Sequence, residues 1–210
     1  RGGGGGLFPA AWPAGYARMT RSAKTNRPNG PAFLPGDPTP DAQIEAMIRV
    51  DQAGEYGAKR IYGGQMAVIR EGEIAAEIAH MAAQEDEHKA EFDRLVAERQ
   101  IRPTLLQPIW HVAGWLLGAG TAAMGQRAAM ACTVAVEETI DGHYADQRDR
   151  LDDWGREQQL RERIERFRLE ELDHRDRALA HDAHAAPGFG LLESAIRAGS
   201  KAAIWLATRI

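Results

Sequence analysis

The chain has 210 residues, 44% of them hydrophobic and 27% charged, which supports one good-sized core or two very small ones and excludes a disordered chain. Its single cysteine, Cys132, excludes an intramolecular disulfide and any Cys-rich metal or iron–sulfur site within one chain. A formal net charge of −4 gives no basis for general nucleic-acid binding, and no stretch has the length and uniform apolarity of a multi-span membrane protein.

Charge is unevenly spread. Residues 1–40 carry five Lys/Arg and one acid, whereas residues 41–210 carry 21 bases and 29 acids. Residues 1–40 also begin with Arg1 and a run of glycines and hold seven of the ten prolines. They read as a basic, flexible leader, with a transit peptide as the other reading. The surplus carboxylates of 41–210 raise the question of bound cations.

From Asp41 the apolar spacing becomes helical. A first helix starts behind Pro40, with Asp41 near the positive end of its dipole, and runs to about Arg70. Glu71-Gly72-Glu73 breaks it, and a second helix runs to about Arg99. After a loop bounded by Pro103 and Pro108, a third, apolar helix covers about Ile109–Met124. A fourth follows to about Leu151, and Asp153-Trp154-Gly155 forms a turn. A fifth runs to about Ala185, Pro187-Gly188 ends it, and a sixth covers about Leu191–Ile210. No segment alternates with period two, so the expected fold is all-α with no sheet.

The pattern Glu-x-x-His places both side chains on one helix face, about a turn apart, where they can grip one metal ion. It occurs three times, at Glu77/His80, Glu85/His88 and Glu171/His174. Helical phase separates the copies. Glu85/His88 share a face with Ile74, Ile78, Met81, Phe92 and Leu95, and Glu171/His174 with Leu160, Ile164, Phe167 and Ala178. Glu77/His80 share theirs with Glu73, Gln84, Glu87 and Glu91, a solvated surface. Glu170 falls in phase with Arg163 and Arg177, outside the stripe. Two further acids sit on apolar stripes. Glu55 lies with Ile48, Ala58, Tyr62, Met66 and Ile69, and Glu137 with Met130, Val134, Ile140 and Tyr144. Burying an unpaired carboxylate costs several kcal/mol, so four of them need a common explanation.

Spacing supplies one. Glu55 and Glu85 are 30 residues apart about the turn at Gly72, and Glu137 and Glu171 are 34 apart about the turn at Gly155. Equal hairpin arms of roughly 22–25 Å, at 1.5 Å per residue, bring each pair to one height. Two such halves aim four carboxylates and two imidazoles at one centre, the di-metal arrangement of ferritin-like four-helix bundles. Two divalent ions would balance the four carboxylates. Oxygen-rich ligation with one imidazole per ion suits iron or manganese and not a closed structural zinc site.

The segments Arg49-Val-Asp-Gln-Ala-Gly-Glu-Tyr-Gly-Ala58, Glu85-Asp-Glu-His88, Ala131-Cys-Thr-Val-Ala-Val-Glu-Glu-Thr-Ile140 with His143-Tyr144, and Glu170-Glu-Leu-Asp-His174 closely resemble the demethoxyubiquinone hydroxylase family of ubiquinone biosynthesis. The resemblance covers about residues 41–210. It implies that Glu55, Glu85, His88, Glu137, Glu171 and His174 are ligands of two iron ions, with Glu85 and Glu171 bridging. It implies hydroxylation of the benzoquinol ring of a polyprenyl demethoxy precursor. It further implies dioxygen as the co-substrate, with one atom going to the ring and the other to water, and electrons from NADH. By the same resemblance His143 and Tyr144 serve electron and proton delivery. The bland readings are a core tyrosine for Tyr144 and a surface histidine for His143. Gly54 and Gly57 serve either close helix packing or room for a substrate ring. His111, His181 and His184 read as structural.

An oily substrate requires membrane contact. Residues 103–126 carry no formal charge and include Trp110, Trp115, Leu116 and Leu117. Pro108, His111, Gln126 and four glycines favour a helix lying on the membrane, or a buried crossover between the hairpins, over a span. The last helix is amphipathic, and its Arg197, Lys201 and Arg209 would either meet anionic headgroups or accompany docking on the bundle. The expected protein is therefore peripheral to an inner membrane, on the cytoplasmic face in a bacterium or the matrix face in a mitochondrion. Assembly as a homo-oligomer and work with a lipid-binding accessory protein both stay open. The rival readings are a bacterioferritin-like iron-storage protein and a metal-free helical membrane adaptor.

Overall fold

The computed structural model describes residues 36–210, so the leader expected over 1–40 lies almost wholly outside the described residues. Thr39 opens the first helix: its hydroxyl accepts from the Ala42 N–H at 3.2 Å, with Pro40 taking a first-turn position that needs no donor. The helices are α1 (Pro40–Val68), α2 (Glu73–Glu98), α3 (Gln107–Ala123), α4 (Gln126–Trp154), α5 (Gln158–Ala180) and α6 (Phe189–Ala207). Among the described residues there is no strand, as the absence of period-two alternation predicts. Gly72 and Gly155 turn the two hairpins with φ of +93° and +61°, a region that disfavours any side chain. α5 is shorter than expected. Asp182 takes φ +58°, which ends the helix, and Ala183–Ala185 form a short 3-10 turn instead of a continuation.

α1, α2, α4 and α5 form the bundle, each antiparallel to its packed neighbours. Along α1 the contacts Asp51–Gln147, Glu55–Tyr144 and Tyr62–Glu137 run in opposite senses on α1 and α4. Likewise Gln84–His174, His88–Glu171 and Glu91–Arg163 run oppositely on α2 and α5. Two apolar clusters fill the ends. One gathers Tyr62, Ile78, Met81, Met130, Val134 and Ala178, and the other Ile48, Phe92, Leu151, Leu160, Ile164 and Phe167. Burying each large side chain contributes roughly 1.5–3 kcal/mol. The polar layer between the clusters is where the predicted site falls.

α3 returns along α1, parallel to it, and carries the chain from the first hairpin to the second. Glycines let the two helices touch. A Cβ at Gly118 would lie 1.9 Å from the Ile61 carbonyl oxygen, and one at Gly64 would lie 2.2 Å from that of Trp115. Both obstacles are backbone and cannot swing aside. Gly118→Ala is expected to destabilise by about 1–3 kcal/mol. The thermal midpoint checks this, at about 2–4 °C per kcal/mol for a domain of this size; an unchanged midpoint would disprove the close contact.

Across α4 and α5, Glu165 accepts from Arg148 and Arg168 at 2.9 Å, and Arg168 reaches Asp141 at 2.6 Å. The Arg168 hydrogen bond, joined by that from Arg148, holds the Glu165 carboxyl down to about 2. A depressed carboxyl stabilises the fold above its unfolded value, about 4.3, and loses that contribution as pH falls toward 2. Glu165→Gln should therefore lower the thermal midpoint at pH 7 and make no difference near pH 2. Equal midpoint differences at both pH values would contradict the coupling.

Candidate metal centre

Glu55 from α1, Glu85 and His88 from α2, Glu137 from α4, and Glu171 and His174 from α5 meet in the polar layer, all six buried. They form two overlapping groups, Glu55/Glu85/His88/Glu171 and Glu85/Glu137/Glu171/His174, each with ligand atoms within 4.8 Å of one another. Glu85 and Glu171 belong to both groups. Each imidazole turns Nδ1 inward. His88 Nδ1 lies 3.1 Å from Glu171 Oε1 and 3.6 Å from Glu55 Oε2, and His174 Nδ1 lies 3.1 Å from Glu171 Oε2 and 3.3 Å from Glu85 Oε1. The outward Nε2 atoms donate to Glu170 Oε2 at 2.5 Å and to Gln84 Oε1 at 3.0 Å, respectively. Each Nδ1 therefore faces the carboxylates, as the ring atom that a bound ion would take.

The two outer carboxylates are supported reciprocally. Tyr62 of α1 donates to Glu137 Oε1 at 2.8 Å, and Tyr144 of α4 donates to Glu55. Burial, then the adjacent carboxylate charges, push both phenols well above their ordinary range, so they remain neutral donors. Burial and the neighbouring carboxylates also push Glu85 and Glu137 well above the usual carboxylate range. Glu171 goes the other way: burial opposes its ionisation, but hydrogen bonds with His174 and His88 hold it at about 2. His88, against its own burial, is raised to about 11 by contacts with Glu171 and Glu55.

This donor set fits a metal pair. Both oxygens of Glu85 and Oε2 of Glu137 are buried without a hydrogen-bond partner. Such orphaned acceptors are costly unless a cation satisfies them. Protons and an imidazolium offset only part of the four-carboxylate charge.

His80 of the rejected pair is exposed, and Glu77 pairs with Arg177 at 3.2 Å. His143 does not join the six. Its Nε2 donates to the buried Asp51 at 3.1 Å, and Gln147 donates to the same oxygen at 2.7 Å. Burial raises the Asp51 carboxyl, opposed by the His143 contact. Tyr144 touches Glu55 directly. At Gly54 and Gly57 an added Cβ would meet nothing within 4 Å, so close packing does not require these glycines. His111 accepts from or donates to Tyr56 at 2.5 Å, tying α3 to α1, and His184 packs on Phe189.

Glu170 and Gln84 correct the helical-phase reading, which placed both on outer faces. Each side chain is long enough to reach across the α2–α5 seam to an imidazole. Asp51 and Gln147 were equally silent, since nothing local marks a carboxylate whose partner sits 92 positions away. The signal available was that Glu170, Gln84 and Asp51 each lie within one to four residues of a recognised ligand; Gln147 carries none.

The outer helices divide their surfaces. α3 buries Gly118, Thr121 and Ala122 and exposes Ile109, Val112 and Leu116. α6 sets Ile196 against Cys132, Ala135 and Val136 of α4, and exposes Leu191 and Trp205. Arg197, expected among the headgroup-facing cations, is instead engaged with Glu138 and with Glu193 at 2.8 Å, while Arg209 stacks on Trp205 at 4.1 Å. The docking reading of both helices holds on one face, and the opposite face of each is bare. Among the described residues no helix is long and apolar enough to cross a membrane.

Comparison with known proteins agrees with this geometry. The family profile described as ubiquinone biosynthesis protein COQ7 matches residues 42–207. The chain is 57% identical over 178 residues to the 3-demethoxyubiquinol 3-hydroxylase of Rhodospirillum rubrum, covering 84% of this chain and 83% of that protein. It is 47% identical over 171 residues to the human NADPH-dependent 3-demethoxyubiquinone 3-hydroxylase, mitochondrial, covering 80% of this chain and 79% of that protein. The 5-demethoxyubiquinone hydroxylase, mitochondrial, of Saccharomyces cerevisiae is 38% identical over 188 residues, with 81% of each chain covered. With the profile spanning the whole helical bundle and relatives this similar along most of their length, the chain belongs to the COQ7 family of ubiquinone biosynthesis proteins.

Proposed function

We infer that this chain is a 3-demethoxyubiquinol 3-hydroxylase, an oxygen-dependent monooxygenase of ubiquinone biosynthesis, working through two iron ions held by Glu55, Glu85, His88, Glu137, Glu171 and His174. The similarity along most of the chain supports the reaction. The observation that carries the metal assignment is the sharing of Glu85 and Glu171 between two ligand groups, each completed by one imidazole and one outer carboxylate. Oxygen-rich ligation of this kind suits iron. When bound, the iron pair supplies dioxygen activation, with two electrons entering per turnover.

The rest falls to the protein. Tyr62 and Tyr144, kept neutral by burial, orient the outer carboxylates by donation. Glu170 and Gln84 fix the imidazole orientation. Gly54 and Gly57 flank Glu55, and an added Cβ at either would meet nothing within 4 Å, which supports a place for the quinol ring there. The two apolar end clusters keep water from the layer between them. Proton and electron delivery falls to Tyr144, in contact with Glu55, and to His143, which is one-fifth exposed and anchored by Asp51. The electrons originate from a reduced nicotinamide nucleotide: the resemblance points to NADH, and the human relative's name gives NADPH. The bare apolar faces of α3 and α6 support a peripheral seat on an inner-membrane surface, from which a polyprenyl tail need not leave the bilayer.

The test is turnover under labelled dioxygen, with iron-loaded protein, a reductant and a short-tail demethoxyquinol. A product heavier by one labelled oxygen atom supports the assignment. No product from protein with both irons bound would overturn it.

A further inference from the structure

We propose that Glu170 and Gln84 make the two metal positions unequal, so that the position served by His88 takes its ion first and holds it more tightly. This rests on the two-ion reading above. Around the ions the site is close to symmetric. Each position has one imidazole through Nδ1, one outer carboxylate supported by a tyrosine, and the shared pair Glu85 and Glu171. The symmetry breaks behind the imidazoles. His88 donates from Nε2 to a carboxylate, Glu170, at 2.5 Å, whereas His174 donates to a neutral carboxamide, Gln84, at 3.0 Å.

A carboxylate accepting the outer N–H pulls that proton outward, gives the ring imidazolate character and makes the inner nitrogen a stronger donor to a cation. A carboxamide accepts the same hydrogen bond without the charge. Glu170 is placed to act in this way: its side chain is about one-third exposed, and His88 is the group it contacts most closely within the bundle. Asp51 is the other carboxylate near the Glu55 side, but His143 and Gln147 already engage it. The asymmetry matters because an ion bound first and firmly can organise the bridging carboxylates before the second enters. Glu170 and Gln84 are positioning residues, acting through the imidazoles.

Two near-isosteric exchanges test this. Glu170→Gln keeps an acceptor for His88 and removes the charge, and Gln84→Glu adds a charge behind His174. Full-length apoprotein is titrated anaerobically with ferrous iron against a chromophoric chelator, and half-loaded samples are examined by Mössbauer spectroscopy. The wild type should bind in two separable steps with one iron environment filled first. Glu170→Gln should weaken the first step about tenfold and leave the second nearly unchanged. Gln84→Glu should tighten the second step and bring the two together. Circular dichroism checks that both variants keep wild-type helicity. Two equal steps in the wild type, or a Glu170→Gln variant whose steps are unchanged or weakened alike, would overturn the inference while leaving the two-ion reading standing. A wild type that binds no iron would overturn both.

Discussion

Glu171→Gln is expected to abolish turnover and to reduce bound iron from about two per chain to one or fewer. Glu171 is one of two carboxylates common to both ligand groups, and its two oxygens each lie 3.1 Å from the Nδ1 of a different imidazole. Glutamine keeps the size but replaces one oxygen with an NH2 that cannot ligate, and the loss of charge falls on both positions. Glu137→Ala makes the comparison, because Glu137 belongs to one group only. It should also abolish turnover, with helicity largely intact, yet retain about one iron per chain. Iron content by elemental analysis, read beside the oxygen-incorporation assay, distinguishes the two. Two irons per chain and full activity in Glu171→Gln would remove the basis for the shared-ligand assignment.

Stripping the metal should lower the thermal midpoint by roughly 8–16 °C for each of the two ions removed. An ion present at 1,000 times its dissociation constant stabilises by about 4 kcal/mol, and each kcal/mol moves a domain of this size by about 2–4 °C. The direction follows from burial. Without cations, the fold must hold Glu55, Glu85, Glu137 and Glu171 in one dry layer, with both Glu85 oxygens lacking any hydrogen-bond partner. Glu85→Gln removes part of that repulsion, so its apoprotein should melt higher than the wild-type apoprotein, although its metal-loaded form melts lower. Calorimetry with and without chelator measures all four midpoints. Equal melting of wild-type apo and loaded forms would show that the buried carboxylates do not depend on cations.

Much of this was legible before any coordinates. Glu85 and Glu171 announce themselves because each sits on a stripe of apolar residues that must face a core, where a lone carboxylate has no reason to be. Glu77, with the same Glu-x-x-His spacing, sits among Glu73, Glu87 and Glu91 and stays outside. The turn glycines at 72 and 155 fix where each hairpin folds back, and therefore which residues share a height. The end of α5 was less readable, since Asp182 adopts a left-handed conformation that nothing in its neighbours demands. The pairing of α3 with α1 rests on Gly118, one of the four glycines that count against a membrane span, and on Gly64 of α1, which carries no local signal. Gly64 and Gly118 prove to be the points at which the two backbones meet.

The linear sequence by itself determined the all-α class, the two Glu-to-Glu-x-x-His halves, the six inward ligand candidates and the family they resemble. The class, the halves and the candidates follow from local rules, helical phase and turn position, that act within one hairpin; the resemblance rests on the segments around Glu55, Glu85, Glu137 and Glu171. Only the tertiary structure decided what stands behind those ligands: Glu170 on His88, Gln84 on His174, Tyr62 on Glu137, and Tyr144 on Glu55. Each of these contacts joins different helices. Which side chain crosses a seam depends on the register and separation of two packed surfaces, and helical phase along one strand of sequence carries no information about either.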